Sequence, residues 1–199
     1  MEKPQTLKGF RDFLPEAARK RAYVIQTLKS VFELYGFEPL ETPSLEYAHI
    51  LTGKYGDEAD KLLYTFLDRG GRKIGRRYDQ TVPLARVVAQ YQHTLPLPFK
   101  RYQMQPVWRA ENTQKGRFRE FVQCDIDTVG TSSPLADAEI LAVATRVYEK
   151  LGFPLTDISI KINNRRNFSG IPNDAIITID KLDKIGAEGV KEELRKKGH

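Results

Sequence analysis

The 199-residue chain has one cysteine, Cys124, and only three histidines, His49, His93 and His199. A lone thiol excludes an intrachain disulfide framework and suits a reducing compartment. The histidines have no spaced ligand or nucleophile partners, so each reads as a surface or packing residue and no metal site is expected. No apolar run approaches the roughly 20 residues that span a bilayer. The opening MEKPQTLKGFRDFLP has no apolar stretch of the kind a secretory signal requires. The expectation is a cytoplasmic protein without a membrane partner. Familiar nucleotide motifs are missing as well. GGRKIGRR and TGKYG do not make a G-x-x-x-x-G-K-[ST] phosphate loop, no G-x-G-x-x-G follows a strand, and there is no G-x-S-x-G.

What is present is an ordinary globular mixture, 40% hydrophobic and 29% charged, enough for one substantial core or a domain with an appendage. The formal charge of +6 permits a nucleotide or nucleic-acid partner without demanding one. Pro15 and Glu16 open a helix in which Ala18, Ala22, Ile25, Leu28, Phe32 and Tyr35 recur at helical spacing, with Gly36 as terminator. FEPLETPSLE reads as extended, and Pro39 and Pro43 place it at a sheet edge or an interface. KLLYTFLDRGGRKIGRRYDQ reads as a hairpin turning at Asp68–Gly71. Thr81 is positioned to cap a helix that shares Leu84, Val87, Val88 and Tyr91 on one face.

A strand from Phe99 to Glu111, a turn at Asn112–Gly116 and a return strand from Arg117 to Val129 follow. Ser133 and Pro134 open a long helix with Leu141, Ala144, Tyr148 and Leu151 inward, and DISIKIN reads as a strand with Ile158, Ile160 and Ile162 on one side. Beyond Asn163 the chain reads as helical with a basic end. Residues 1–163 are the expected core and 164–199 the start of a helical insertion or C-terminal segment. The element order predicts an α+β fold, an antiparallel β-sheet flanked by helices.

The chemistry concentrates in VWRAENTQKGRFREFVQCDID, Val107 to Asp127. Alternate residues of a strand share a face. Gln103, Gln105, Arg109 and Glu111 fall on one face of the first strand, opposite Tyr102, Met104 and Trp108. Arg117, Arg119, Phe121, Gln123, Asp125 and Asp127 share one face of the second. Pairing the strands assembles one polar floor suited to a nucleoside triphosphate and a small zwitterion. Arginine forks match phosphate oxygens, phenylalanine stacks on a purine, and carboxylates with an amide hold an ammonium group. The residues alone leave a second reading open, a solvated sheet face whose ion pairs are each worth about 0–1 kcal/mol.

These segments resemble the N-terminal catalytic portion of the histidyl-tRNA synthetase family, class II aminoacyl-tRNA synthetases. KGFRDFLP is similar to the family's opening, ETPSLE to its motif 1, RRYDQTVPLAR to its histidine-binding segment, and WRAENTQKGRFREFVQCDID to its motif 2. INNRR and LDKIGAEGVKEEL match later landmarks. The resemblance implies a homodimer formed through motif 1, MgATP and histidine as substrates, and tRNA(His) as acceptor. It implies that Arg109 holds the α-phosphate as the catalytic residue, Glu111 meets the adenine edge, Phe121 stacks on the base and Arg117 reaches the outer phosphates. It assigns Asp79, Gln80, Thr81 and Gln123 to the amino-acid end and Asp127 to the imidazole, and gives Arg119 no role. The family's second histidine-specific segment, motif 3 and anticodon-binding domain are not in this sequence, so a catalytic-core fragment is expected. Two other classes stay open: a catalytically silent, histidine-sensing regulatory subunit of ATP phosphoribosyltransferase, and an RNA-binding or dimerisation module using the tail EELRKKGH.

Overall fold

The computed structural model describes residues 3–53 and 60–199. The TGKYG stretch considered above as a phosphate loop runs into residues outside that range. Two compact units are present, Met1–Ile158 and Ser159–His199. Among the described residues, no helix is long and apolar enough to cross a membrane.

The first unit opens with α1 (Pro15–Leu34), starting at Pro15 as expected and ending ahead of Gly36, whose φ of 75° suits a residue without Cβ. β1 (Glu38–Pro39), β5 (Phe99–Trp108) and β6 (Glu120–Val129) form one sheet, and β2 (Leu45–Tyr47), β4 (Lys73–Arg76) and β3 (Thr65–Leu67) a second. The β3–β4 hairpin turns at the expected Asp68–Gly71. Asp68 Oδ1 accepts from the backbone N–H groups of Gly70 and Arg72, each at 2.9 Å. A short helix α2 (Ala48–Leu51), then α3 (Thr81–Tyr91) and α4 (Pro134–Lys150), follow in the same unit.

The long β5–β6 pair is antiparallel, with Gln105 opposite Gln123 and Arg101 opposite Asp127. β1, at the edge where its proline is tolerated, runs parallel to β5, so the sheet is mixed rather than wholly antiparallel. One face of β5–β6 carries the core. Tyr102, Met104 and Ile126 pack against Leu28, Val31 and Phe32 of α1 and Ile140, Val143 and Val147 of α4. Each such large apolar side chain, fully buried, contributes about 1.5–3 kcal/mol. Lys100 Nζ donates to Glu139 Oε1 at 2.8 Å and so ties β5 to α4. With this face occupied, the opposite face of the pair is left for polar residues.

Several expectations are corrected. In α1 only the C-terminal half is covered, and Ala18 and Ala22 are exposed. In α4 the inward residues are Ile140, Val143 and Val147, while Tyr148 is exposed and meets Phe153 edge-on. Helical spacing gives a stripe's period, but the angle at which the helix meets the sheet selects which stripe is buried. In α3, Leu84 and Val87 are buried but Tyr91 lies exposed at the helix end. Thr81 does not cap that helix. Asp79 does, its Oδ1 accepting from the N–H groups of Thr81 at 3.1 Å and Val82 at 3.2 Å.

DISIKIN is not a strand. Leu155–Asp157 form a 3-10 turn, residues 158–164 have no regular structure, and Ile160 and Ile162 are exposed. Alternation supplies a face, but a strand also needs a hydrogen-bonding neighbour, and none of the described strands pairs with it. The second unit, which begins at Ser159 rather than at residue 164, holds a 3-10 turn at Arg165–Phe168, α5 (Asn173–Ile179) and α6 (Leu182–Lys196). Asp174 and His199 meet at 2.9 Å within it.

Candidate functional site

The polar face of β5–β6 has two parts. Beyond the strand ends, an open cavity of about 530 Å³ is lined by Arg11, Arg109, Glu111, Gly116, Arg117, Phe118 and Phe121. The Arg109 guanidinium lies 5.1 Å from the Phe121 ring centre and 4.5 Å from that of Tyr78, and its Nε donates to the Tyr78 carbonyl at 3.2 Å. Cation–π contact and one backbone bond thus hold its plane while leaving most of its fork available. Glu111 accepts from the Tyr78 hydroxyl at 3.1 Å and faces Arg117 at 3.8 Å. Burial raises the Tyr78 phenol above its usual range, opposed by the nearby Arg109 charge. Three arginines against one glutamate make the cavity a positive receptacle with an aromatic wall.

Farther along the same face lies a floor of carboxylates and amides. Asp79, at the head of α3, is 9% exposed, and Gln80 is wholly buried. Gln80 Nε2 donates to the Gln105 carbonyl at 2.9 Å. The side-chain oxygens of Gln80 and Gln123 are buried and have no hydrogen-bond partner among the described residues. Such an orphaned acceptor costs about 1–3 kcal/mol, which marks a place where a donor is wanted. Asp127 pairs with Arg101 at 2.5 Å. Burial lowers the Arg101 pKa, with the charges of Asp127, Asp125 and Asp79 opposing. Burial likewise raises Asp125 above the usual carboxylate range, with Arg101 opposing and Asp127 and Asp79 adding to the rise. Three carboxylates about one buried guanidinium make this floor suited to a small cation. Among the described residues, no group of three or more His, Cys, Asp or Glu is placed to hold a metal ion.

The model of the family described as histidyl-tRNA synthetase matches residues 9–188. The chain belongs to the histidyl-tRNA synthetase family. It is 47% identical to the histidine–tRNA ligase of Cytophaga hutchinsonii, over all of this chain and 50% of that protein. Among solved structures, histidyl-tRNA synthetase from Nostoc superposes on the whole chain and 46% of its own length, with a TM-score of 0.85 and 37% identity. A Bacillus halodurans protein, described as an ATP phosphoribosyltransferase regulatory subunit/histidyl-tRNA synthetase, matches 76% of the chain and 40% of its own length, with a TM-score of 0.65 and 27% identity. The chain spans about half the length of the curated relatives it matches. The mixed α+β fold is that of the family's catalytic domain.

Of the residues singled out in the sequence, Arg109, Glu111, Arg117 and Phe121 meet at the cavity. Gln123 and Asp127 lie on the floor, and Asp79 and Gln80 stand at the head of α3. Thr81 is exposed on the first turn of that helix. Strand membership needs correction, because β5 ends at Trp108 and β6 begins at Glu120. Arg109, Glu111, Arg117 and Arg119 therefore stand on the arms beyond the ladder. Those arms are held by the Arg109 N–H to the Arg119 carbonyl at 2.9 Å and the Arg119 N–H to the Gly9 carbonyl at 2.8 Å. Arg119 also donates through Nε to the Glu111 carbonyl at 3.1 Å, which makes it a strut between the N-terminal loop and the arm. Gly9 permits that approach: its φ is 89°, and a Cβ there would come within 2.8 Å of Arg119.

Sequence reasoning missed Arg11, which joins the cavity from a distant loop with its guanidinium 3.3 Å from the Phe118 ring centre. It also missed Arg101 and Arg77, both almost completely buried. For Arg101 a signal was available. It shares the strand parity of Gln103 and Gln105, and its register partner is Asp127.

Proposed function

We propose that this chain is the part of a histidine–tRNA ligase that binds MgATP and histidine and joins them as histidyl-adenylate, the histidyl group then passing to tRNA(His). The observation that carries the reading is the continuity of one sheet face: an arginine-lined, aromatic-walled cavity is followed directly by an acidic floor with unsatisfied amide oxygens. The first part fits a triphosphate and a base, the second an amino acid's ammonium group and a nitrogen ring.

In this reading the histidine carboxylate oxygen attacks the α-phosphorus and pyrophosphate leaves with the P–O electron pair, so no side-chain nucleophile is needed. Arg109 holds the α-phosphate and stabilises the charge that builds on it. Phe121 stacks on the adenine, Glu111 meets the base edge, and Arg117, on its exposed arm, reaches the outer phosphates, with magnesium arriving as part of the substrate. Asp79, Gln80, Thr81 and Gln123 receive the ammonium end and Asp127 the imidazole, so positioning supplies much of the remaining acceleration. Residues 1–163 carry this chemistry, and 164–199 belong to a helical insertion or a C-terminal segment. Dimerisation runs through the Phe37–Glu46 segment, a reading supported by the exposed apolar Leu45 within it and Tyr47 beside it.

Histidine-dependent ATP–pyrophosphate exchange tests the activity. The chain should exchange only with histidine present, and Arg109→Ala should lower the rate about 10²–10³-fold, as for loss of one preorganised charge-stabilising donor. Exchange that ignores histidine or survives Arg109→Ala overturns the assignment. Histidine binding with no ATP binding in the folded chain would point to the regulatory-subunit reading instead.

A further inference from the structure

Arg101 lies on β5 near the end of the floor farthest from the cavity, and its side chain is completely buried. Removing a guanidinium from water is costly, and a buried ion pair is often no more stabilising than apolar residues of similar volume. Stability alone is therefore a poor reason for an arginine here. Its contacts give a better one. Nη1 donates to Gln103 Oε1 at 3.3 Å, and Nη2 is ion-paired with Asp127 Oδ2 at 2.5 Å. The pair is a contact of charges without hydrogen-bond geometry, since Nη2 and Nε have no hydrogen-bond partner among the described residues. Gln103 is itself fixed, its Nε2 donating to Thr42 Oγ1 at 2.8 Å and Gln105 Oε1 at 2.6 Å. Gln105 Oε1 also accepts from Arg77 Nη1 at 2.9 Å. A buried polar chain thus runs from the Thr42 loop through Gln103 to Arg101. It ends on a carboxylate whose side chain is 39% exposed on the ligand face.

We propose that Arg101 is a positioning residue: by holding Asp127 Oδ2 it aims Oδ1 at the ring N–H of bound histidine and so sets the affinity of the amino-acid subsite. This rests on the assignment of histidine to the floor. An aspartate free to rotate about its side-chain bonds loses that freedom when a ligand docks, whereas one already held by a rigid guanidinium has less to lose. Gln103 and the Thr42 loop keep the guanidinium itself in place.

The test is calorimetric titration of the 199-residue chain with histidine and, separately, with ATP. It compares the parent chain, Arg101→Met, Arg101→Lys, Asp127→Asn and the Arg101→Met/Asp127→Asn double variant. Arg101→Met should weaken histidine binding about tenfold or more, in the range of coupling between contacting groups, and leave ATP affinity essentially unchanged. Arg101→Lys should recover part of the loss. The double variant should bind histidine no more weakly than Asp127→Asn alone, because Arg101 acts through that carboxylate. Unchanged histidine affinity in Arg101→Met overturns the proposal. So does equal loss of both ligands, which marks a purely structural role, or a double variant weakened by the product of the single effects. If Arg101→Met does not fold, Arg101→Lys decides, since histidine affinity equal to that of the parent chain overturns the proposal there too. A folded parent chain that binds ATP but not histidine overturns the assignment of the floor, and this inference with it.

Discussion

Replacing Arg77 with methionine separates the two ways in which a buried cation can act on a fold. Arg77 is 1% exposed, and burial lowers its pKa, with Glu46 opposing. Its Nε donates to the Pro106 carbonyl at 2.8 Å, and its Nη1 reaches the Thr42 carbonyl at 2.7 Å, the Gln105 side-chain oxygen at 2.9 Å and the Pro43 carbonyl at 3.2 Å. One side chain thus satisfies acceptors on the Thr42–Pro43 connector and on β5. Methionine fills much of the volume but takes this donor from the Thr42, Pro43 and Pro106 carbonyls, each unpaired acceptor costing about 1–3 kcal/mol where water cannot enter. The Gln105 oxygen keeps the Gln103 amide at 2.6 Å. Partial hydration and the relief of desolving the cation offset some of this, so the net loss should be about 3–5 kcal/mol. At about 2–4 °C per kcal/mol for a chain of this size, the melting temperature should fall by about 10 °C. The single tryptophan, Trp108, is 5% exposed with its ring 5.8 Å from the Arg77 guanidinium, so urea unfolding followed by its fluorescence reads this region directly. The midpoint should drop with little change in slope. A methionine variant as stable as the parent would refute the reasoning, because the arginine would then be a replaceable buried charge rather than the partner of those carbonyls.

Asp79 caps α3 and, in the proposed function, also receives the ammonium group, and substitution can split the two. Asp79→Ala should lose the α3 cap and about 0.5–2 kcal/mol of stability, whereas Asp79→Asn keeps the cap and loses only the charge offered to the ammonium group. Chemical denaturation and histidine titration should therefore diverge for asparagine and fall together for alanine; equal destabilisation by both variants would deny Asp79 the capping role. Asp125, raised by burial, adds stability in its protonated state below the unfolded value of 3.8 and loses it as pH rises through the raised native value. Asp125→Asn should then be more stable than the parent at neutral pH, with the advantage shrinking as pH falls toward 3.8 in thermal melts. An advantage that does not vary with pH would exclude titration of this carboxylate as the cause.

The reach of the sequence is clearest in the β5–β6 pair. Its period of two put Gln103, Gln105, Phe121, Gln123, Asp125 and Asp127 on one face before any partner was known, because side-chain alternation is a property of each strand alone. The start of α1 at Pro15, its stop before Gly36 and the Asp68–Gly71 turn were legible for the same reason: each is set by the dihedral limits of a few neighbouring residues. The comparable alternation at Ile158, Ile160 and Ile162 produced no strand, since a ladder needs a second segment that the pattern does not supply.

Tertiary structure alone decided which stripe of α4 faces inward, the parallel run of β1, and the arrival of Arg11 at a cavity built otherwise by residues about a hundred positions away. It also decided the fate of the arginines. In a basic chain most arginines are indistinguishable by composition. Arg77 and Arg101 stand apart because carbonyls and carboxylates from distant segments converge on them. By itself the sequence determined which residues share a face, because backbone stereochemistry acts over one or two turns. The packing of separate segments determined what those faces meet, because burial and hydrogen-bond satisfaction are fixed only when distant parts of the chain come together.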